Sequence, residues 1–263
     1  MHVILRDLSK NFITKSKETH VFKNINMEVS QGEFICLLGP SGCGKSTLLN
    51  IIAGLEKPSE GKVIVAGHEI HKPGPDRAMM FQESALFPWL TVFENVTFGM
   101  KLQGVSKEER TNIALKYLKM THLTKFKNAY IHELSGGMRQ RVALARCLAM
   151  ESEILLMDEP FGALDSQTRL ILQMELQKIW LSTKKTIFFV THSVEEAVLL
   201  ADRILIMSCN PGGIKSIYSV DLPHPRRVDS EELSSIMRGV LKELKEEVEK
   251  VAKEEFDADW HIQ

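Results

Sequence analysis

The segment Gly39-Pro40-Ser41-Gly42-Cys43-Gly44-Lys45-Ser46 constrains this chain more than any other stretch. It follows a short apolar run, Phe34-Ile35-Cys36-Leu37-Leu38, and leads into Lys45 to Ala53, which reads as a helix stopped by Gly54. Glycines let successive backbone N–H groups turn toward one anion, and a helix N-terminus adds the positive end of its dipole. Lys45 would then reach the β- and γ-phosphates of a nucleotide, and the Ser46 hydroxyl would face Mg²⁺. A plain Gly-rich turn needs neither the Lys-Ser pair nor a strand and a helix on its flanks. The pattern therefore specifies a phosphate-cradling unit in an α/β fold.

The rest of the chain agrees. Val63–Ala66, Ala78–Phe81, Glu153–Met157, Thr186–Val190 and Arg203–Met207 are short apolar runs of the kind found in buried parallel strands. His2–Leu5 and Ile25–Val29 alternate more and are expected to form an antiparallel layer. From about Leu90 to Met150 the strand signal vanishes, while Lys107–Met120 and Arg139–Ala149 carry apolar residues at helical spacing, so a helical subdomain over about 90–150 is expected inside the core. Beyond Ser230, Leu233, Ile236, Met237, Val240, Leu241, Leu244, Val248 and Val251 mark an amphipathic helix with a Glu/Lys outer face. The expected organisation is one domain over 1–228 and a charged helical tail over 229–263.

Composition bounds the partners. With 33 basic against 34 acidic residues and a formal charge of -1, no whole-chain field exists to hold nucleic acid or an anionic membrane. No apolar run approaches the roughly 18 to 20 residues that span a bilayer, and Arg6 and Asp7 interrupt the only apolar stretch near the start, so the chain is expected to stay in the compartment where it is made. Cys36, Cys43, Cys147 and Cys209 are scattered, which fits a reducing cytosol rather than a disulfide framework or a zinc site.

Two further motifs carry chemistry. Ile154-Leu155-Leu156-Met157-Asp158-Glu159 is a buried-type strand ending in two carboxylates, a costly placement without a cation. Asp158 would hold Mg²⁺ directly or through water, and Glu159 would polarise the water that attacks the γ-phosphate. Leu134-Ser135-Gly136-Gly137-Met138-Arg139-Gln140-Arg141 opens a helix with two poor helix formers, so its first turn offers bare N–H groups to an anion, with Ser135 as cap.

Together with Asp165, these motifs resemble the ATP-binding subunit of ABC transporters over roughly residues 1 to 225. The resemblance implies a P-loop NTPase core of RecA-like type with an antiparallel β layer and an inserted helical subdomain. It also implies the site: Gly39, Pro40, Ser41, Gly42, Cys43, Gly44, Lys45, Ser46 and Thr47 around the phosphates, Ser46, Gln82 and Asp158 on Mg²⁺, and Glu159 and His192 with Lys45 in catalysis. Gln82 resembles the Q-loop glutamine that senses the γ-phosphate, Phe161-Gly162-Ala163-Leu164-Asp165 the D-loop, and His192 the switch histidine. At a strand end, a neutral His192 imidazole could also donate to a phosphate oxygen. Phe12 matches the aromatic that stacks on adenine, although an aromatic at this spacing could equally belong to the core.

FQESALFPWLTVFENVTFGM, VTHSVEEAVLLADRILIMSCNPGGI and VDLPHPRR are most similar to the nitrate, sulfonate, taurine and bicarbonate branch of the importers. The implied partners are a second ATPase subunit, identical or related, whose signature turn (Ser135-Gly136-Gly137 in a copy of this chain) would complete the ATP site, transmembrane permease subunits, and indirectly an extracytoplasmic solute-binding protein. The implied location is the cytoplasmic face of the membrane. Leu86-Phe87-Pro88-Trp89 would face the permease, unless Phe87 and Trp89 are core of the helical subdomain. The short stretch between Ser46 and Ser135 leaves no room for the long coiled coil of DNA-repair ABC ATPases, and a single cassette disfavours the translation-associated class. Lys45, Asp158, Glu159 and His192 together argue against an inactive nucleotide binder. The solute is recognised by other chains, so these residues do not name it.

Overall fold

The computed structural model describes residues 1–13, 18–209, 212–227 and 230–256. In chain order its elements are β1 (Val3–Ile13), β2 (Glu18–Val29), β3 (Phe34–Leu38), α1 (Lys45–Ala53), β4 (Glu60–Val65), β5 (His68–Glu69), β6 (Arg77–Met80), α2 (Val92–Leu102), α3 (Lys107–Met120), α4 (Gly136–Ala149), β7 (Ile154–Asp158), α5 (Ser166–Thr183), β8 (Thr186–Val190), α6 (Val194–Leu200), β9 (Arg203–Ser208), β10 (Gly213–Ser219) and α7 (Glu231–Phe256). They form two compact units, Met1–Gly74 with Thr186–Gln263, and Pro75–Lys185.

In the first unit every residue of β3 is buried, because β8 and β9 flank it on both sides in parallel register. A strand covered this way can be apolar throughout, which is why Phe34–Leu38 shows no alternation. β10 continues the sheet antiparallel to β9. A second sheet, in the order β2-β1-β4-β5, is antiparallel, as the alternation of its strands requires. Its β4 stops at Val65, one residue before the expected end, because Ala66 turns into the left-handed region with φ of 48°.

The C-terminal helix packs on α6 and β9, burying Leu233 and Val240. Glu243 accepts hydrogen bonds from the hydroxyls of Ser216 and Tyr218, and Lys215 pairs with Glu246 at 3.0 Å and Glu247 at 3.2 Å. The expected amphipathic helix is therefore present. The expected boundary at 228/229 and the tail end, 257–263, lie outside the described residues. Arg226, from the VDLPHPRR segment, is buried and donates to the carbonyls of Val198, Ala201, Val220 and Leu222, which places a cation at the C-terminal end of α6.

In the second unit β6 runs parallel to β7, and α2, α3 and α4 pack on one another. Side chains set the helix starts. Thr91 and Glu94 form a capping box on α2, Ser106 caps α3 and Ser135 caps α4. Buried Asn95 takes the N–H of Phe87 and donates to the carbonyls of Phe87, Leu90 and Thr91, holding the loop before α2. Among the described residues no helix is long and apolar enough to cross a membrane.

Candidate active site

The loop from Gly39 to Gly44 leaves the C-terminal end of β3 and enters α1. A Cβ on Gly39 would lie 2.6 Å from the Met207 carbonyl and 2.8 Å from Cys43 Sγ, so only glycine lets the chain leave the strand here. Gly44 caps α1 with φ of 94°, and no side chain claims the helix N-terminus. The first turn holds no acidic residue either, so its N–H groups are left for an anion. Lys45 is 5% exposed and folds back over the loop, donating to Gly39 O at 2.8 Å and Pro40 O at 2.7 Å. Ser46 stays exposed and Thr47 half-exposed at the start of the helix. Burial pushes the Cys43 thiol up, so it stays protonated as loop packing.

The same unit brings two further expected residues to this end. Thr191 N–H donates to Leu37 O at 3.3 Å, two residues before Gly39, so the turn bearing His192 sits beside the loop. That turn is fixed by a buried hydrogen bond from Thr191 Oγ1 to Glu196 Oε2 at 2.5 Å and by Ser193, which caps α6. The His192 ring is exposed. Gly44 approaches Val21 and Phe22 of β2, where a Cβ would lie 2.6 Å from Val21 Cγ1. Phe22 pairs with Lys10 across β1, and Phe12 lies two residues farther along that strand. The Phe12 ring is 42% exposed, under the Lys10 ammonium at 4.5 Å, and this removes the core reading of Phe12.

The second unit gathers the carboxylates. Asp158 ends β7 and is 6% exposed, while half-exposed Glu159 takes a left-handed backbone with φ of 48°. Such a conformation in a non-glycine residue costs about 1 kcal/mol or more and persists only where its surroundings impose it. The surroundings are visible: Glu159 O accepts from Gly162 N at 3.1 Å and from Gln140 Nε2 at 2.9 Å. Gln82, just past β6, donates from Nε2 to Glu159 Oε2 at 3.3 Å. The Gln82 amide and the Glu159 carboxylate are thus adjacent. Asp165 caps α5, and the Thr168 N–H it accepts holds its carboxyl below the usual range.

The Ser135 side chain accepts from Met138 N at 3.3 Å at the start of α4, where Gly136 is exposed and the first turn holds no acidic residue. Farther along α4, Arg146 donates to the carbonyls of Ser84 at 2.9 Å and Ala85 at 2.8 Å and lies over the Phe87 ring. Phe87 packs on Phe98 with ring centroids 4.5 Å apart, but Trp89 is 70% exposed and so is not core.

The described structure thus brings the phosphate loop, His192 and Phe12 together in one unit, and Gln82, Asp158, Glu159 and the Ser135-Gly136-Gly137 turn in the other. In the first unit the glycine-lined loop and the exposed Ser46 hydroxyl offer donors suited to a phosphate and a hard cation, and in the second the buried Asp158 carboxylate is a hard oxygen donor of its own. Sequence reasoning missed Gln140, Thr191, Arg146 and Asn95 as site supports. Gln140 and Asn95 left a signal, each a polar residue on a helix face that buries apolar neighbours, Ala143 and Leu144 in α4 and Val92 and Val96 in α2.

The sequence model of the ABC transporter family matches residues 22–162. The chain is 53% identical to the uncharacterized ABC transporter ATP-binding protein MJ0412 of Methanocaldococcus jannaschii, covering 95% of this chain and 93% of that one. It is 46% identical to the nitrate import ATP-binding protein NrtD of Synechocystis sp., covering 91% of this chain and 96% of that one. Among solved structures, the dimeric post-hydrolysis state of the ATP-binding cassette MJ0796 bound to ADP and Pi matches with a TM-score of 0.76 at 35% identity, over 84% of this chain and all of that one.

Proposed function

The chain belongs to the ABC transporter family and is an ATPase of that type, and from this premise we propose that it energises an importer of a small anionic solute through a separate permease. The hydrogen bond from Gln82 Nε2 to Glu159 Oε2 at 3.3 Å carries the catalytic part, because it sets a carboxylate beside the residue that would sense the γ-phosphate. The likeness to a nitrate import subunit supports an anionic solute of nitrate, sulfonate, taurine or bicarbonate type.

In this reading the N–H groups of Gly39 to Thr47 cradle the phosphates, and Lys45 exchanges its carbonyl partners for the β- and γ-phosphate oxygens. Phe12 stacks on adenine. Ser46, Gln82 and Asp158 hold Mg²⁺, which supplies charge neutralisation at the phosphates when bound. Glu159 accepts a proton from water as the water oxygen attacks the γ-phosphorus, and the bridging oxygen leaves with ADP. His192 donates to a γ-phosphate oxygen. Ser135, Gly136 and Gly137 of a second copy bind the γ-phosphate from the opposite side, so the working ATPase is a head-to-tail dimer on the cytoplasmic face of the membrane. Its permease receives the solute from an extracytoplasmic binding protein.

Glu159→Gln tests the reading directly. ATP affinity should be kept while single-turnover hydrolysis slows by about 10²-fold or more. Near-normal cleavage would move the base elsewhere. Mass spectrometry of chains that co-purify from detergent-solubilised membranes tests the importer part, and a complex without a permease would overturn it.

A further inference from the structure

α4 is tied to the turn after β7 by more than general packing. The Gln140 side chain, 6% exposed, spans that turn: Nε2 donates to Glu159 O at 2.9 Å, and Oε1 accepts from Ala163 N at 2.8 Å. One turn earlier, Gly137 faces the same segment, where a Cβ would lie 3.1 Å from Ala163 O and 3.4 Å from Leu164 Cδ2. A bidentate amide and a close backbone approach thus key the first two turns of α4 to Glu159–Leu164. The keyed segment holds the one left-handed residue of the carboxylate pair, and Gln140 grips the carbonyl of that residue. A peptide carbonyl fixed on both sides fixes ψ of Glu159, and with it the direction from which the carboxylate leaves the backbone.

We propose that Gln140 is a positioning residue for hydrolysis: it sets the Glu159 backbone and ties that setting to the helix that begins at Ser135-Gly136-Gly137. This rests on the roles given to Glu159 and Ser135 above. In a head-to-tail dimer the first turn of α4 serves the nucleotide of the other copy, whereas Glu159 serves its own. Gln140 then makes cleavage at one ATP depend on how α4 is engaged at the other, through one side chain and no intervening loop. A role in stability alone would lower the folded fraction and leave turnover per folded molecule unchanged.

The test is Gln140→Met in the full-length chain, which keeps length and volume but removes both hydrogen bonds. Gln140→Asn keeps an amide too short to reach both partners, and covers the case in which the Met variant does not fold. Turnover per folded molecule, equilibrium ATP affinity, melting temperature and MgATP-driven dimerisation are measured together. The expected result is a kcat lower by about 10-fold or more, the scale of a misplaced catalytic group, with ATP affinity and dimerisation within about 2-fold of the parent. Unchanged kcat would overturn the proposal. So would a fall in kcat, affinity and folded fraction in parallel, which would make Gln140 structural. Glu159→Gln in the otherwise native chain separates the two readings. If it cleaves normally, the carboxylate assignment fails; if it is inactive while both Gln140 variants turn over normally, only this proposal fails.

Discussion

Lys45 shows how one side chain can be both buried and available. Its stem lies against the loop while the ammonium rests on the carbonyls of Gly39 and Pro40, partners that phosphate oxygens can replace without moving the backbone. Lys45→Ala should weaken MgATP binding by about 10²-fold or more, read by equilibrium titration, with the circular dichroism spectrum unchanged; parent-like affinity would refute the cradle role. All four cysteines are free, and burial pushes Cys147 up to about 12 and Cys209 up to about 11. A raised thiol pKa lowers the thiolate fraction at neutral pH. Iodoacetamide should therefore label native Cys209 slowly near pH 7 and progressively faster as pH climbs toward about 11, while fully buried Cys147 stays unlabelled; rapid, pH-independent labelling would contradict these environments. At this scale the sequence made Lys45, Ser46, Asp158 and Glu159 legible, because motif spacing fixes them. It did not show Gln140 or Thr191, whose roles depend on which carbonyl or carboxylate folding brings within 3 Å.

Elements carry these residues, and polar side chains bonded to backbone carbonyls hold α6 and the loop before α2 in place. α6 follows the His192 turn and ends on the Arg226 guanidinium, which satisfies carbonyls at Val198 and Ala201. Arg226→Ala would leave those buried acceptors without a donor, and should cost on the order of 3 kcal/mol by urea denaturation. A loss under about 1 kcal/mol would mean that water takes over the bonds. The loop before α2 is held by Asn95 and Arg146, yet it points Trp89 outward. Because Trp89 is 70% exposed, Trp89→Ala should change stability by no more than about 0.5 kcal/mol while weakening co-purification with the permease by 10-fold or more. Unchanged association would remove Trp89 from the docking face. β3, α1 and α3 could be read to their observed ends, since apolar runs and caps mark them. β10 could not, because Gly213-Ile214-Lys215-Ser216-Ile217-Tyr218-Ser219 shows no clean apolar–polar alternation and reads as a loop until it pairs with β9.

At the scale of the molecule, each described unit holds part of the proposed catalytic set, and the first turn of α4, capped by Ser135, carries no acidic residue. The proposed solution is a second copy. The γ-phosphate would be held by Lys45 and His192 of one chain and by Ser135 and Gly137 of the other, so ATP should join two subunits where ADP cannot. Charge does not oppose this assembly, since the net charge of -1 leaves little repulsion between copies. The sequence could show the motifs of both half-sites but not their exposure, because exposure is a property of packing. Sedimentation velocity on Glu159→Gln with saturating MgATP, and in parallel with MgADP, tests this account most directly. It predicts a dimer with MgATP and a monomer with MgADP; a monomer in both, at concentrations far above the ATP dissociation constant, would contradict it.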